Sequence, residues 1–413
     1  MRSEAVMARP PLRLVRPGEL SPAAARLRAE RSARRVLATL SISVAALTLV
    51  GLVMVLSASS ISAFAAYGSS FLFFKRQLLY AAIGAVCLLA TSRLPYRVWE
   101  RAWVPLLIVS VGLLVLVLHP SVGTVSGGAA RWIQVGPFSL QPSELAKFAA
   151  VAAGASLLSR NLDRLESEPL RWMLPLFAIV GVVSLLVLVQ PDLGTMMIIA
   201  GTAFLLMFVA GVRLRLLATT LLLWGAVGAS LILGESYRRT RFFSFLHPWS
   251  DPHNTGYQIV QSLIALGSGH LFGVGLGASR QKWMYVPNAH TDFIFSILGE
   301  ELGLIGEGVV LALFVLLVYA GIRIALRAPD AFGRLLAGGI TAWFGLQALV
   351  NLGAVTGVLP ITGVPLPFVS FGGSSLVVSL AAVGVLLSIG KAGLMTAGAP
   401  SRRGPGAKAR RSR

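Results

Sequence analysis

Trp283-Met284-Tyr285-Val286-Pro287-Asn288-Ala289-His290-Thr291-Asp292-Phe293-Ile294-Phe295-Ser296-Ile297-Leu298-Gly299-Glu300-Glu301-Leu302-Gly303 carries a polar loop into a mostly apolar segment that continues to Ile322. About 20 such residues cross a bilayer as a helix. Carboxylates are costly near hydrocarbon, so Asp292, Glu300 and Glu301 each call for a partner or a function. The stretch therefore announces a membrane protein with chemistry at the mouth of a span.

The rest of the chain agrees. Of 413 residues, 55% are hydrophobic and 13% charged, with mean hydropathy +0.77. Soluble domains carry about 25% charged residues. Ten apolar runs are predicted as spans, at roughly 36–58, 72–91, 102–119, 143–159, 172–189, 192–211, 215–234, 292–322, 335–357 and 372–390. The first is too long for the apolar core of a signal peptide and follows a long tail, so it reads as an uncleaved span. Cys87, the single cysteine, has no intramolecular disulfide partner.

The formal charge of +20 is unevenly placed. Residues 1–35 hold nine Arg against three Glu, and residues 391–413 hold seven basic residues and no acid. Arg93, Arg97 and Arg101, then Arg160, Arg164 and Arg171, then Arg213 and Arg215, then Arg323, Arg327 and Arg334 fall in alternate loops. Loops 59–71 and 358–371 carry no charge. This is the positive-inside pattern, not a nucleic-acid patch. The expected fold is all-α and polytopic, with ten transmembrane helices and both termini cytoplasmic. A long extracytoplasmic loop, 235–291, separates the seventh and eighth spans. The two basic tails read as disordered from their composition, flanking a membrane domain at 36–390.

With that orientation every even-numbered span starts at the outer face. Span four begins Gln141-Pro142-Ser143-Glu144-Leu145-Ala146-Lys147, span six Gln190-Pro191-Asp192-Leu193-Gly194-Thr195 and span eight His290-Thr291-Asp292. Span ten follows Pro365-Leu366-Pro367-Phe368-Val369-Ser370-Phe371-Gly372-Gly373-Ser374. Capping alone accounts for Pro, Ser and Asp at such positions. It does not account for Lys147 or Glu301, which lie at least a turn inside apolar runs. Glu144 and Lys147 are spaced to pair. Four helix N-termini around one polar cavity would attract anions such as phosphates.

In the loop, Gly256–Ala265 reads as a short amphipathic helix, and Gly267–Gly277 as a flexible segment able to approach a substrate closely. No Gly-Lys-Ser/Thr follows that Gly-rich run, so it is not a nucleotide loop. The five His are scattered and no metal-ligand spacing is present.

Gln141-Pro142-Ser143-Glu144, Gln190-Pro191-Asp192-Leu193-Gly194, Gly256-Tyr257-Gln258, Gly273-Val274-Gly275-Leu276-Gly277, His290-Thr291-Asp292-Phe293-Ile294-Phe295 and Pro365 to Ser374 together resemble the SEDS family (shape, elongation, division and sporulation). Ser296 to Gly303 is more similar to its division member, FtsW, than to its elongation member, RodA. His270 departs from the family, which usually has Gly there. The resemblance implies a ten-span peptidoglycan glycosyltransferase of the inner membrane, acting at the division septum. Such enzymes polymerise lipid II at the outer face beside a class B penicillin-binding protein and other divisome proteins. The family's essential carboxylate matches Asp292.

On that reading Asp292 is the general base for the acceptor sugar's 4-hydroxyl, and undecaprenyl pyrophosphate is the leaving group. Lys147, Arg241, Lys282, Arg280, Arg76 and Arg131 are candidates to bind the pyrophosphate, with Lys147 and Arg241 preferred. Glu144, Asp192, His290, Thr291, Ser370 and Ser374 are the other candidate substrate-binding residues. No tightly bound cofactor is expected. A Mg²⁺ or Mn²⁺ carried by the pyrophosphate needs few protein ligands. Two other functions are weighed: a lipid II flippase, which would need matching charges deep in the cytoplasmic half, and a non-catalytic divisome scaffold.

Overall fold

The computed structural model describes residues 22–398 except 127, 128, 137, 166 and 235. The tail residues 1–21 and 399–413 lie outside the described residues. Those tails were expected to reach 35 and to begin at 391, but helix extends into both: α1 spans Pro22–Tyr67 and the last helix ends at Gly398. At about 1.5 Å per residue the 46 residues of α1 make about 69 Å, more than twice a hydrocarbon core of about 30 Å. Its Arg-rich start therefore projects beyond the apolar zone.

The remaining elements follow in order. α2 (Leu72–Arg93) and α3 (Val98–Leu116) precede three short strands, β1 (Gly123–Ser126), β2 (Ala129–Val135) and β3 (Phe138–Leu140). Then come α4 (Pro142–Ser159), α5 (Leu162–Leu165), α6 (Pro169–Val189), α7 (Leu193–Val209) and α8 (Leu214–Leu233). α9 (Ser236–Phe243), a 3₁₀ turn at Pro248–Ser250 and α10 (Tyr257–Ser268) lead to α11 (Ile294–Leu326), α12 (Ala331–Val355) and α13 (Gly373–Gly398). Each of the ten expected segments is helical. Among the described residues eight helices are long and apolar enough to cross a membrane: α1, α2, α3, α6, α8, α11, α12 and α13. α7 is apolar but shorter, at 17 residues, and α4 carries Glu144 and Lys147.

α12 and α13 form the centre. Of their most apolar windows 72% and 78% are buried, against 11% for α3 and for α8. α12 packs on α4, α7 and α11, and α13 lies along α1 and α2. Small residues permit this close approach: Gly338 faces Val209 of α7 and Gly339 faces Val151 of α4.

The basic connections meet at one end. Arg97 pairs with Asp330 at 2.8 Å, Tyr96 donates to the same oxygen at 2.7 Å, and Asp330 caps α12 through the Gly333 amide at 2.7 Å. Lys391 reaches the Ser92 carbonyl at 3.2 Å, and Arg327 donates to Ser32 Oγ at 2.9 Å. The starts of α2, α4, α7, α11 and α13 lie at the other end.

Three features differ from the sequence reading. The first is the antiparallel sheet β1-β2-β3, in register Thr124↔Trp132 and Gln134↔Ser139, where no strand was expected. Its signals were the Gly127-Gly128 pair between Thr124-Val125-Ser126 and Trp132-Ile133-Gln134-Val135, a two-residue hairpin pattern. Second, the long loop holds more helix than expected: α9 and the 3₁₀ turn, besides α10, which lies close to the expected helix.

The third is a break in α11. Gly303 has φ 65° and ψ −168°, so the helix stops and restarts there. The Gly-rich run, read from sequence as a flexible substrate loop, fills that break. Val274 and Gly275 amides donate to the Glu300 and Glu301 carbonyls at 2.9 and 3.1 Å. Leu304 and Ile305 amides in turn donate to the His270 and Leu271 carbonyls at 2.9 and 3.3 Å. Backbone groups orphaned by the break thus find partners in another segment. Only Gly fits two of these approaches, since a Cβ on Gly269 would overlap the Gly299 carbonyl and one on Gly273 the Glu301 carbonyl.

His270 sits in this interlock at φ 47°, in the left-handed region that favours Gly. Its side chain is exposed. We expect His270→Gly to relieve strain of roughly 1 kcal/mol and to raise the melting temperature of the purified protein. A variant that melts at or below wild type in the same detergent would show the strain is absent.

Candidate functional site

The segment 361–374 ties the polar helix starts together. Asn351 of α12 donates through Nδ2 to the carbonyls of Asp292 and Val364, both at 2.8 Å. Ser370 Oγ donates to the Thr291 carbonyl at 2.6 Å and accepts from the Leu366 amide at 2.9 Å. The Phe371 amide donates to the His290 carbonyl at 2.9 Å. Gln77 of α2 donates to the Ser370 carbonyl at 3.1 Å. Residues 290–292 are therefore held by their backbone carbonyls. A Cβ placed on Gly363 would stand 3.7 Å from Asp292 Oδ2, so the carboxylate faces that turn. The helix cap of α11 is Phe293, one residue later than the expected Asp292.

α7 and α4 join the same segment. Asp192 is the N-cap of α7 and accepts from the Thr195 amide at 3.0 Å and Thr195 Oγ1 at 2.9 Å. The capping reading holds for this residue, and Pro191 precedes the cap instead of following it. Gly194, in the first turn, packs against the Thr362 carbonyl. At α4 the cap is Gln141, with Pro142 at the first helical position, and the Gln141 amide donates to Ser374 Oγ at 2.9 Å.

One turn further in, Lys147 donates to Glu144 and to Gln347 Oε1 at 3.0 and 2.8 Å, and lies 5.1 Å from the centre of the Trp343 ring. Lys147 is 3% exposed and Glu144 1%. Gln347 also donates to the Pro365 carbonyl at 2.9 Å. Lys147 is thus a buried strut between α4, α12 and the Pro365 turn. Gln347 and Asn351, a turn apart on one face of α12, escaped the sequence reading. The available signal was two amides spaced i,i+4 in an otherwise apolar span.

The other candidate cations are placed elsewhere. Arg76 is exposed on α2, beside Gln77. Arg131 of β2 donates to the Gln190 carbonyl at 3.0 Å and to the Pro191 carbonyl, closing the end of α6. Arg241 lies on α9, and its side chain is outside the described part of the structure. Arg280 is exposed, with its amide on Glu300 Oε1 at 2.9 Å. Lys282 is buried and donates to Glu301 Oε1 at 3.3 Å, so it anchors the loop to α11. Among the described residues no three His, Cys, Asp or Glu side chains gather as a metal site.

His290 packs between Phe73 and Phe371, with ring centroids 4.7 and 5.7 Å away. Burial pushes its pKa down to about 4. The unfolded group titrates near 6.5, so the unfolded chain binds more protons between these values. The stability this neutral ring contributes is complete above about pH 6.5 and is lost as pH falls toward 4. We expect the wild type to lose roughly 2 kcal/mol more than His290→Gln between pH 7 and 5. Parallel thermal melts at the two pH values measure it, and equal losses would remove His290 as the cause.

Helix ends gathered on one polar segment, with a carboxylate at the mouth of a long span, define a polytopic membrane protein with a candidate active site at one end. Comparison with known proteins places it. The FtsW/RodA/SpoVE family of cell cycle proteins matches residues 38–393, and the chain belongs to this family. It is 44% identical over 344 residues to a probable peptidoglycan glycosyltransferase FtsW of Geobacter metallireducens, covering 83% of this chain and 92% of that one. It is 46% identical over 347 residues to stage V sporulation protein E of Bacillus subtilis, covering 83% and 93%. A chain of a peptidoglycan synthase complex that coordinates polymerization and crosslinking superposes with TM-score 0.70 at 30% identity, covering 85% and 96%. The rod shape determining protein RodA of Thermus thermophilus superposes with TM-score 0.63 at 30% identity, covering 85% and 95%.

Proposed function

We propose that this protein is a peptidoglycan glycosyltransferase that polymerises lipid II at the outer face of the inner membrane during septal wall synthesis. The observation that carries the reading is Asp292, fixed through its backbone by Asn351 and flanked by Thr291 held by Ser370, where α4, α7, α11 and α13 begin. Asp292 removes the proton from the acceptor 4-hydroxyl as that oxygen attacks the donor's anomeric carbon. The glycosidic bond forms as the bond to undecaprenyl pyrophosphate breaks, and the pyrophosphate leaves with the electron pair. Positioning and charge supply most of the remaining rate. Arg76, exposed on α2 next to Gln77, is the preferred contact for the pyrophosphate among the described side chains, and Arg241 is a further candidate. Lys147 and Glu144 set the Pro365 turn from behind. A Mg²⁺ or Mn²⁺ would arrive as part of the pyrophosphate substrate.

Ten spans with both termini in the cytoplasm accord with the clustering of Arg97, Arg160, Arg327 and Lys391 at one end. That orientation puts Asp292 outside, where a class B penicillin-binding protein would crosslink the product. The kinship with a synthase complex supports that partner. The septal role follows from similarity to FtsW, while comparable identity to a sporulation protein makes cell-cycle stage a matter for experiment.

The test uses purified protein with lipid II, with and without a class B partner. Glycan strands that lengthen with time support the reading. Vesicles that translocate lipid II without polymerising it would replace it with a flippase.

A further inference from the structure

At the basic end, away from Asp292, α1, α11 and α13 line a half-open cavity of about 380 Å³. Its walls are mainly apolar and small, including Ala33, Val36, Leu37, Ile324 and Leu394. Two guanidinium groups, Arg323 and Arg327, also line it. Arg323 lies over the Tyr319 ring at 5.8 Å, and Arg327 Nη2 donates to Ser32 Oγ at 2.9 Å. Arg327 Nη1 is buried with no hydrogen-bond partner. Among the described residues no carboxylate pairs with either arginine.

A buried guanidinium N–H without an acceptor costs about 1–3 kcal/mol or more, so native structures rarely keep one. Arg presents a planar fork matched to phosphate oxygens. The neighbouring part of α1 adds Arg28, Arg31, Arg34 and Arg35 against the single acid Glu30, and α13 adds Lys391. An inorganic anion would satisfy the arginines but leave the apolar walls empty. A lone acyl chain would do the reverse.

We propose that this cavity binds one anionic phospholipid of the adjacent leaflet. Its phosphate lies on Arg323 and Arg327, and an acyl chain fills the space between α1, α11 and α13. The lipid then holds the N-terminal helix against the two helices whose other ends carry the proposed active site.

The test is the melting temperature of the full-length protein in neutral detergent, with phosphatidylglycerol, phosphatidylcholine or inorganic phosphate added separately. Ligand that binds only the folded state raises the melting temperature. Phosphatidylglycerol is expected to raise it by several degrees, with no comparable rise from the other two. The rise should vanish in the double variant Arg323→Gln/Arg327→Gln and in Ala33→Phe, which fills the cavity with both arginines intact. Arg323→Lys/Arg327→Lys, which keeps the charge without the fork, should retain part of it. Three results overturn the assignment: an equal rise with phosphatidylcholine, a rise with phosphate alone, or a rise that survives either the Gln pair or Ala33→Phe. If one of these variants fails to fold, the other decides.

Discussion

Asp292→Asn is expected to lower the rate of lipid II polymerisation by at least about 10²-fold while leaving the melting temperature within about 2 °C of wild type. The substitution keeps size, shape and the backbone carbonyl that accepts from Asn351 at 2.8 Å. It turns the carboxylate beside Gly363 into a neutral amide that cannot take up the proton. A residue that merely shaped the start of α11 would show the opposite pattern, because Asn serves about as well as Asp near a helix start. Asp292→Glu adds a control: the carboxylate survives but moves by one methylene, and displacement of about 1 Å costs on the order of 10²-fold where geometry is demanding. Both variants should still bind the class B partner. Near wild-type strand synthesis by Asp292→Asn in the purified complex would remove this residue from the chemistry.

What the sequence made visible follows the cost of burying polar groups. Asp292, Glu144 and Lys147 stand out because charge in an apolar run is expensive, and the structure places all three around the segment 361–374. Gln347 and Asn351 do the connecting, yet an amide in an apolar helix is cheap enough to pass unnoticed. The spans were legible for the same reason, from length and apolarity, although Lys147 interrupts the fourth. The sheet was not legible, because strands of four, seven and three residues carry too little periodicity against the helices around them. The break at Gly303 was hidden most deeply. Residues 292–322 read as one continuous span, and nothing local says that the partner for Gly273 is another backbone. Gly303 and the run Gly269–Gly277 are two halves of one contact, about 30 residues apart in sequence.

That contact carries the second large effect. Glu301 Oε1 accepts from Ser57 Oγ at 2.6 Å, Lys282 Nζ at 3.3 Å and the Ser279 amide at 3.4 Å. Lys282 also donates to the Gly277 carbonyl at 2.6 Å. Glu300 accepts from Ser279 Oγ and from the Arg280 and Gln281 amides at 2.9 and 3.3 Å. Glu301 is 1% exposed and Lys282 6%, so neither charge has water to fall back on. Removing one partner of a buried pair strands the other, at a cost of roughly 3–5 kcal/mol. Glu301→Ala is therefore expected to lower the melting temperature by roughly 5–10 °C. Lys282→Met should do much the same, because it leaves the Glu301 carboxylate buried without its cation. The double variant Glu301→Leu/Lys282→Met exchanges the ion pair for apolar contact and should recover a large part of either single loss, since replacing a whole buried pair is often close to neutral. The coupling has a functional reading as well. Residues 279–292 form one stretch from this clamp to Asp292, so the single variants should lose polymerisation along with stability, and the double should regain both. Single variants that melt within about 2 °C of wild type would mean that the interlock of backbones at Gly303 holds the loop without help from the pair, and a double variant no better than the worse single would show that a stranded charge is not the cause of the loss.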